Sequence, residues 1–348
     1  MAIYGANVHN QESSRGKSMR EVTKTRVSTY PRDLRERFVT ALRGVSEYQV
    51  IKFEICDELG NWHIGETVET SKITGDSHEL IMRELEQDVQ ALIAGKDFKG
   101  AMLEIRNSRL SGSSKAAIDI ALNQGLGTGV KQNFSIATDV TIPVTTIDKL
   151  PSLISDRVTA GFTHFKIKAD LEPVAEFVEK LTLISSSLPS GSSLRIDANQ
   201  AWTIEHTVEV LSAISTHGIE IDYLEQPTPA RDFAALVKVK AISSIPIMAD
   251  ESCFTPADLT ELIALDAIDL VNLKLLKTGG LTIAREMAET AKAAGIGVYV
   301  GSMMEGDQSI QAAATLAAEI APDLVHDLDA SWWAKESHLR YESGRLYL

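Results

Sequence analysis

Seven polar side chains recur along the second half of this sequence at almost constant spacing. Each closes a short β-rich run, and successive members are 29, 28, 25, 24, 28 and 25 residues apart. The series is Lys168, Asp197, Glu225, Asp250, Lys274, Ser302 and Asp327. An interval of this size is the length of one strand-helix unit, so these side chains are expected to lie on one rim of a barrel and to point at a common centre.

Three consecutive members of the series, Asp197, Glu225 and Asp250, are carboxylates. Three converging anions repel one another strongly unless a cation lies between them. Because their ligand atoms would all be oxygens, the favoured cation is Mg²⁺. The sequence therefore predicts one Mg²⁺ per subunit at these residues; the alternative is three unrelated polar residues at strand ends.

Two lysines of the series, Lys168 and Lys274, and the neighbouring Lys166 predict proton transfer. Lys166 and Lys168 are two apart on one strand, so both are expected to face the barrel centre. A second ammonium group and a nearby cation should lower the pKa of one of them and leave an amine that can act as a base. Lys274, on the sixth strand, would lie roughly opposite Lys168. A substrate carbon between the two amines could lose a proton to one and receive it from the other, which inverts the centre.

The elements that must position these residues alternate between short strands and helical stretches. Eight candidate strands follow one another: IPVTTI, THFKIKAD, LRIDAN, DYLEQP, IPIMADE, DLVNLKLL, GVYVGSM and LVHDLD. This pattern predicts a closed parallel barrel with its site at the carboxyl ends of the strands, and an open doubly wound sheet is the alternative.

The first half of the chain has a different pattern of apolar and polar residues, which predicts an α+β capping domain. Residues 22–69 read as a β meander with a turn at Leu59-Gly60-Asn61, and residues 77–125 carry apolar residues at helical spacing. The glycine-rich GLGTG at 125–129 follows a helix and does not join a strand to a helix, so a phosphate loop is disfavoured. The predicted divisions are an extension at 1–18, a cap at 19–140, a barrel at 141–330 and a segment at 331–348 returning to the cap.

Composition excludes several classes of protein. The chain has 348 residues and a formal net charge of −14 without a basic tract, so nucleic acid is a poor partner. No run approaches the ~18 apolar residues of a membrane span, and the N-terminal residues lack a secretion signal, so we expect a cytoplasmic protein. Cys56 and Cys253 are expected to be two buried thiols. The oligomeric state is left open, with a homo-oligomer as one option.

Five segments of the chain together resemble the enolase superfamily, from about Arg43 to the C-terminus. They are FKIKAD, RIDANQAW, YLEQP, IMADES and NLKLLKTGG, and their order is similar to that of the muconate-lactonizing branch. The resemblance implies a modified (β/α)8 barrel of the (β/α)7β type with a capping domain, Lys168 and Lys274 as the acid/base pair, Lys166 as an auxiliary to Lys168, and an enediolate formed with Mg²⁺. A branch that uses a histidine in place of the sixth-strand lysine is disfavoured.

The reactions implied by this branch differ in how the substrate's ends are held. Asp327-Leu328-Asp329 resembles the Asp-x-Asp that dipeptide epimerases present to an N-terminal ammonium, whereas N-acylated or dicarboxylate substrates would be repelled. The resemblance also implies that Arg43 meets a substrate carboxylate and that residues 302–305, including Ser302, Met303 and Glu305, shape the pocket wall.

Two alternatives to a dipeptide epimerase stay open. One is an N-acylamino acid racemase, an o-succinylbenzoate synthase or a muconate cycloisomerase-like lyase. The other is a barrel that keeps its metal for binding without turnover, which would not need two lysines on separate faces. A two-base epimerisation at the α-carbon of a dipeptide's C-terminal residue is the favoured function, with a small-molecule dipeptide as the partner.

Overall fold

A computed structural model describes residues 20–348 of the chain. The predicted N-terminal extension at residues 1–18 lies outside the described residues. Within the described range, no helix combines the length and the apolar character needed to cross a bilayer. Cys56 and Cys253 are buried and unpaired, which confirms the prediction of two buried thiols.

The capping domain begins with a three-stranded antiparallel sheet in the order β1-β2-β3. Its strands are β1 (Val22–Val39), β2 (Gly44–Asp57) and β3 (Trp62–Val68). A turn containing Gly60, whose φ is 83°, joins β2 to β3 as predicted. The β1–β2 hairpin is longer than the sequence indicated, because β1 continues through a register shift between Asp33 and Phe38. The residues at 40–43 therefore form the tip of a long hairpin.

Helices cover one face of this sheet, as the helical spacing predicted. They are α1 (His78–Arg83), a π-helical turn (Glu84–Asp88), α2 (Val89–Ile93), α3 (Phe98–Asn107) and α4 (Gly112–Leu126). Phe53 and Ile55 of the sheet share a core with Ile118 and Leu122 of α4. Gly127, with φ of 73°, caps the C-terminus of α4, so the GLGTG segment ends a helix, as expected.

The second half of the chain is a parallel barrel with helices outside it. After β4 (Ser135–Ala137), its elements in chain order are β5 (Val140–Ile142), a 3₁₀ turn (Ile147–Lys149), α5 (Leu150–Thr159), β6 (His164–Lys168), α6 (Val174–Ser187), β7 (Ser193–Asp197), α7 (Ile204–Thr216), β8 (Leu224–Glu225), α8 (Phe233–Ile242), β9 (Ile247–Ala249), α9 (Pro256–Ala264), β10 (Leu270–Lys274), α10 (Leu275–Thr278), α11 (Leu281–Ala293), β11 (Gly297–Gly301) and α12 (Asp307–Ile320). The strands β5 to β11 are hydrogen-bonded in sequence order. This is the predicted modified (β/α) barrel, and the open doubly wound sheet is excluded.

Alternation along the strands explains how the barrel places polar groups inside. On β10, Val271 and Leu273 are fully buried in the hydrophobic core. Asn272 and Lys274 project to the other face, which is the barrel interior, because successive side chains of a strand point to opposite sides. The N-terminus of α9 is stabilised by its local sequence. Thr255 and Asp258 form a capping box there, and Pro256 lies in the first turn.

Two of the eight predicted strands differ from the structure. The first was predicted at residues 142–147, but β5 ends at Ile142, since Pro143 has no N–H to donate to a ladder. The last, predicted at 324–329, forms only two isolated parallel bridges, Thr138 with His326 and Gly301 with Asp327. The backbone N–H of Leu328 donates to the Thr138 side chain instead of to a strand. The barrel is thus closed between its first and seventh strands by a segment without a regular ladder.

The C-terminal residues contact both parts of the molecule. After α13 (Ala330–Trp333), Ala334 bridges to Leu34 of β1. The final strands, β12 (Arg340–Glu342) and β13 (Arg345–Tyr347), form a sheet with β4 in the order β12-β13-β4. The division of the chain into domains at residues 19–140, 141–330 and 331–348 stays a prediction.

Candidate active site

Three carboxylates converge at the carboxyl ends of neighbouring strands. Asp197 ends β7, Glu225 ends β8 and Asp250 directly follows β9. One oxygen of each lies within 4.8 Å of the others, and all three residues are buried. The spacing of the sequence had indicated this convergence.

The three predicted lysines lie against these acids. Lys166 Nζ is 3.0 Å from Asp197 Oδ2, 2.6 Å from Glu225 Oε2 and 2.7 Å from Asp327 Oδ2. Lys168 Nζ lies 2.6 Å from Asp197 Oδ2, and Lys274 Nζ lies 2.8 Å from Asp250 Oδ2. Strands β7, β8 and β9 separate the strands that carry Lys168 and Lys274, so the two amines approach from opposite sides of the barrel.

The charges of the site set the lysine pKa values. Burial by itself lowers the pKa of Lys166, but the carboxylates of Asp197 and Asp327 outweigh it and hold that pKa well above its usual value. The same balance, with Asp250 as the main partner, raises the pKa of Lys274. The sequence-based expectation was a lowered pKa for one of Lys166 and Lys168. For Lys166 the direction is the opposite, because three carboxylates contact its ammonium group.

The acid cluster fits a hard divalent cation. Glu225 Oε2 and Asp250 Oδ1 are buried and accept no hydrogen bond of good geometry from any described residue. The nearest cationic groups to these two oxygens are ammonium groups at 2.6 Å, those of Lys166 and Lys277 respectively. These ammonium groups offset part of the negative charge, and three converging carboxylates that offer only oxygen ligands suit Mg²⁺.

Several residues that support the acids were not identified from the sequence. Asn272 donates to Glu225 Oε1 at 2.9 Å, and the backbone N–H of Asn199 donates to Asp197 Oδ1 at 2.9 Å. Lys277 donates to the carbonyl oxygens of Asp250 and Asn272, which ties the ends of β9 and β10 together. Asn272 was detectable, because it lies two residues before Lys274 on the same strand face.

The backbone around the acids adopts an unusual conformation. Asn199, Gln200 and Gln226 have φ values of 41°, 70° and 38°, in the left-handed region that side chains rarely adopt. The Gln226 side chain accepts the N–H groups of Asp250 and Ser252 at 3.0 and 2.9 Å. Such conformations persist where surrounding contacts enforce them, and here those contacts aim the acids inward.

Glu251 adds a fourth buried carboxyl beside the cluster. Burial and the charges of Asp250 and Asp197 raise the pKa of Glu251 to about 8. The Asn199 side-chain amide donates to its Oε1 at 3.1 Å. Around neutral pH this carboxyl therefore tends to hold its proton, which limits the negative charge that the site must stabilise.

Asp327 and Asp329 lie on the same cavity as Lys168 and Lys274. Lys166 outweighs the effect of burial on Asp327 and lowers its pKa to about 2. Asp329 Oδ2 accepts the N–H of Thr141 at 2.7 Å and the indole N–H of Trp333 at 2.9 Å. These donors fix one oxygen of Asp329 and leave its carboxylate turned toward the cavity.

The mouth of the cavity is formed by the hairpin tip and by the loop after β11. Arg43, Ser302 and Met303 line it together with Met304. Thr40 Oγ1 accepts the N–H groups of Leu42 and Arg43, which shapes the tip as a tight turn. No carboxylate among residues 20–348 is in ion-pair contact with the Arg43 guanidinium. Burial lowers its pKa, and the charge of Glu69 offsets part of that effect. An unpaired, partly desolvated cation in a pocket is a receptor for an anion.

Glu305, which was predicted to shape the pocket wall, is not among the residues that line the cavity but contacts one of them. Its Oε1 accepts the N–H of Met303 at 2.6 Å, and its Oε2 accepts the hydroxyl of Ser309. Burial raises the pKa of this carboxyl to about 7. Glu305 therefore supports the wall from behind, because the local chain turns its side chain back onto Met303 and α12.

Comparisons with known proteins agree with this geometry. The family model described as Enolase C-terminal domain-like matches residues 149–346. The L-Ala-D/L-Glu epimerase of Clostridium acetobutylicum is 32% identical over 82% of this chain and 83% of its own length. A substrate-liganded structure of the L-Ala-D/L-Glu epimerase from Bacillus subtilis superposes with a TM-score of 0.89 at 29% identity, covering 94% of this chain and 96% of the other.

A second solved structure extends the comparison to a metal complex. The dipeptide epimerase from Enterococcus faecalis, complexed with Mg and the dipeptide L-Leu-L-Tyr, gives a TM-score of 0.87 at 28% identity and covers 94% of this chain and 97% of its own. The family match spans the strands that carry the lysines and acids. The chain therefore belongs to the enolase C-terminal domain-like family of the enolase superfamily, and it is an isomerase of the racemase and epimerase type.

Proposed function

We propose that the protein epimerises dipeptides at the α-carbon of the C-terminal residue in a Mg²⁺-dependent reaction. The observation that carries the proposal is one cavity lined by Lys168, Lys274, Asp327 and Asp329, whose two lysines contact Asp197 and Asp250 of the carboxylate cluster. An acid/base pair, an ammonium receptor and a cation site are the three parts that the reaction needs.

Each part has a role in the proposed mechanism. Asp197, Glu225 and Asp250 would hold Mg²⁺, which supplies positive charge that favours the enediolate form of the substrate carboxylate. Lys168 removes the α-proton of one epimer while Lys274 delivers a proton to the opposite face, and the reverse reaction exchanges their roles. Lys166, which contacts Asp197, Glu225 and Asp327, fixes the acids around Lys168 and keeps a positive charge beside it.

The ends of the substrate are assigned by charge. The Asp327 and Asp329 carboxylates would pair with the free N-terminal ammonium, which an N-acylated substrate lacks. Arg43, which is in ion-pair contact with no carboxylate of the described residues, would pair with an anionic side chain of the C-terminal residue. The relatives named L-Ala-D/L-Glu epimerase support a glutamyl residue at that position.

The test is epimerisation of a dipeptide library in deuterated water, read as α-deuterium incorporation and as formation of the second epimer. We expect turnover with Mg²⁺ present, loss of turnover with a chelator, and the highest kcat/KM for dipeptides with a C-terminal glutamate. Asp197→Asn should bind Mg²⁺ weakly and be inactive. Lys240→Met is the matched control, because Lys240 pairs with Asp266 away from this rim of the barrel. Preferred turnover of N-acyl amino acids would assign the protein to racemases of that kind instead.

A further inference from the structure

One buried residue connects the hairpin over the cavity to the cavity wall. The carbonyl oxygen of Glu305 accepts the Tyr48 hydroxyl at 3.0 Å and a guanidinium N–H of Arg32 at 3.1 Å. The carboxyl group of Glu305 accepts the N–H of Met303, which lines the cavity. A single residue of the barrel therefore holds two strands of the cap and the backbone of the wall.

The two cap residues in this contact are cross-strand partners. Arg32 of β1 pairs directly with Tyr48 of β2, and the register of the hairpin shifts between Asp33 and Phe38, just beyond that pair. We call residues 33–47 the arm, since this part of the hairpin extends past the Glu305 contact and carries Arg43 at its tip. The position of Arg43 over the cavity thus depends on how the arm is fixed at its base.

From these contacts we infer that Tyr48 is a positioning residue, which sets selectivity for an anionic substrate side chain by fixing the arm, and with it Arg43, relative to the wall at Met303. The inference rests on the proposed function for its substrate. Tyr48 itself does not line the cavity, so the effect of its hydroxyl is expected to pass through the Glu305 carbonyl and the arm.

Tyr48 is a better probe than Arg32 because its contact can be removed without leaving a buried charge. Arg32 is also paired with Asp307 at 2.5 Å, and both side chains are almost fully buried. Removing the guanidinium would leave that carboxylate unpaired and destabilise the whole interface. Tyr48→Phe deletes only the hydroxyl and keeps the ring, which packs against the small apolar cluster that contains Met303.

The matched control is Tyr30→Phe. Tyr30 packs against the same apolar cluster, but its hydroxyl donates to Glu66 of β3 at 2.8 Å and not to Glu305. Both substitutions remove one hydroxyl from the same interface. A role in general stability predicts an effect of Tyr30→Phe at least as large as that of Tyr48→Phe, because Tyr30 donates to a carboxylate. The proposed positioning role instead predicts an effect of Tyr48→Phe alone on substrate selectivity.

The kinetic experiment compares L-Ala-L-Glu with L-Ala-L-Gln, which differ in the charge of one side chain. For Tyr48→Phe we expect KM for L-Ala-L-Glu to rise roughly 2- to 10-fold, the net value of one hydrogen bond, with kcat and the KM for L-Ala-L-Gln nearly unchanged. Tyr30→Phe should leave the ratio of the two KM values as in the wild type. Equal shifts in both variants, or no change of the ratio in Tyr48→Phe, would overturn the inference.

A second measurement does not depend on turnover. Hydrogen–deuterium exchange of peptides covering residues 38–45 should be faster in Tyr48→Phe than in the wild type or in Tyr30→Phe, because the arm loses a hydrogen bond at its base. Unchanged exchange in this segment contradicts the inference even if the enzyme acts on another substrate. An inactive wild type combined with faster exchange refutes the proposed function and leaves the structural link intact.

Discussion

The acid and lysine cluster of the barrel and the tip of the cap hairpin differ in how completely their polar groups are satisfied. Lys166 contacts three carboxylates, and strand ends on both sides hold the acids in place. At the hairpin tip, Arg43 has no ion-pair partner within residues 20–348. The acids and lysines proposed to carry out the reaction are thus held in place by the fold. The group proposed to recognise a variable substrate side chain keeps its charge available for the ligand.

The cluster and the hairpin tip also differ in how their backbone is held. Strands of a closed barrel carry the cluster, and each strand is paired on both sides. The tip depends on a turn closed by Thr40 and on the contact of the hairpin with Glu305 further back. We therefore expect substitutions in the cluster to affect the chemical step and substitutions at the tip to affect the choice of substrate.

The largest effect is expected for the two lysines. Lys168→Ala or Lys274→Ala should reduce epimerisation in both directions by about a thousandfold or more, because inversion needs an acid and a base in turn. Each variant is expected to retain exchange of the α-proton of only one epimer, and a different epimer in the two cases. Deuterium incorporation by mass spectrometry measures this, with Lys240→Met as the control. Wild-type rates in either variant would contradict the two-base mechanism.

A smaller effect is expected at the ammonium receptor. N-acetylation of a good dipeptide substrate should lower kcat/KM by roughly ten- to a hundredfold, since one charge-assisted contact is lost. Asp329→Asn should have a similar effect on the free dipeptide, because its amide oxygen can still accept from Thr141 and Trp333 while the charge is removed. Steady-state kinetics with both substrates tests this, and equal kcat/KM for the acetylated and free dipeptides would count against the assignment.

Arg43 should matter less, and only for one class of substrate. Arg43→Met is expected to raise KM for L-Ala-L-Glu by roughly tenfold, the value of a charge-assisted contact at a partly exposed site, and to leave L-Ala-L-Gln nearly unaffected. Arg37→Met is the matched control, because Arg37 lies on the same arm and is exposed. If both substrates, or both variants, lose activity equally, Arg43 does not select the side chain.

The smallest effect concerns the stability of the barrel below the cluster. His326 Nδ1 accepts the N–H of Val300, and its Nε2 faces the carbonyl of Ala321, so the ring is neutral in the fold. Burial lowers its pKa from 6.5 to about 4. The unfolded chain binds a proton first as the pH falls, so this contribution is complete above pH 6.5 and is lost between pH 6.5 and 4.

A measurement of the free energy of unfolding tests this. Between pH 7 and 5.5 the titration of His326 should reduce that free energy by about 1 kcal/mol. His326→Asn does not titrate, and its amide oxygen can still accept the N–H of Val300, so its unfolding free energy should change less over this range in urea titrations. An identical pH dependence in the wild type and the variant would exclude His326 as the source.

Local patterns were sufficient to predict the barrel strands β6 to β11 and the acids at their ends. Alternating apolar residues define a strand, and the near-constant interval of about one strand-helix unit brings successive strand ends to one rim. That is why the sequence by itself predicts that Asp197, Glu225 and Asp250 converge. The cap's meander and helices followed from the same kind of periodicity.

Tertiary structure alone decided the features that depend on contacts distant in sequence. Thr138 and Leu328, 190 residues apart, replace a regular eighth strand with a side-chain contact. The Tyr48 hydroxyl reaches the Glu305 carbonyl across 257 residues, and Glu305 turns away from the cavity that its position in the chain had suggested. Periodicity indicates which face of an element is buried, but it carries no information about which distant group will contact that face. At this pocket, contacts of that kind determine how Arg43 is held.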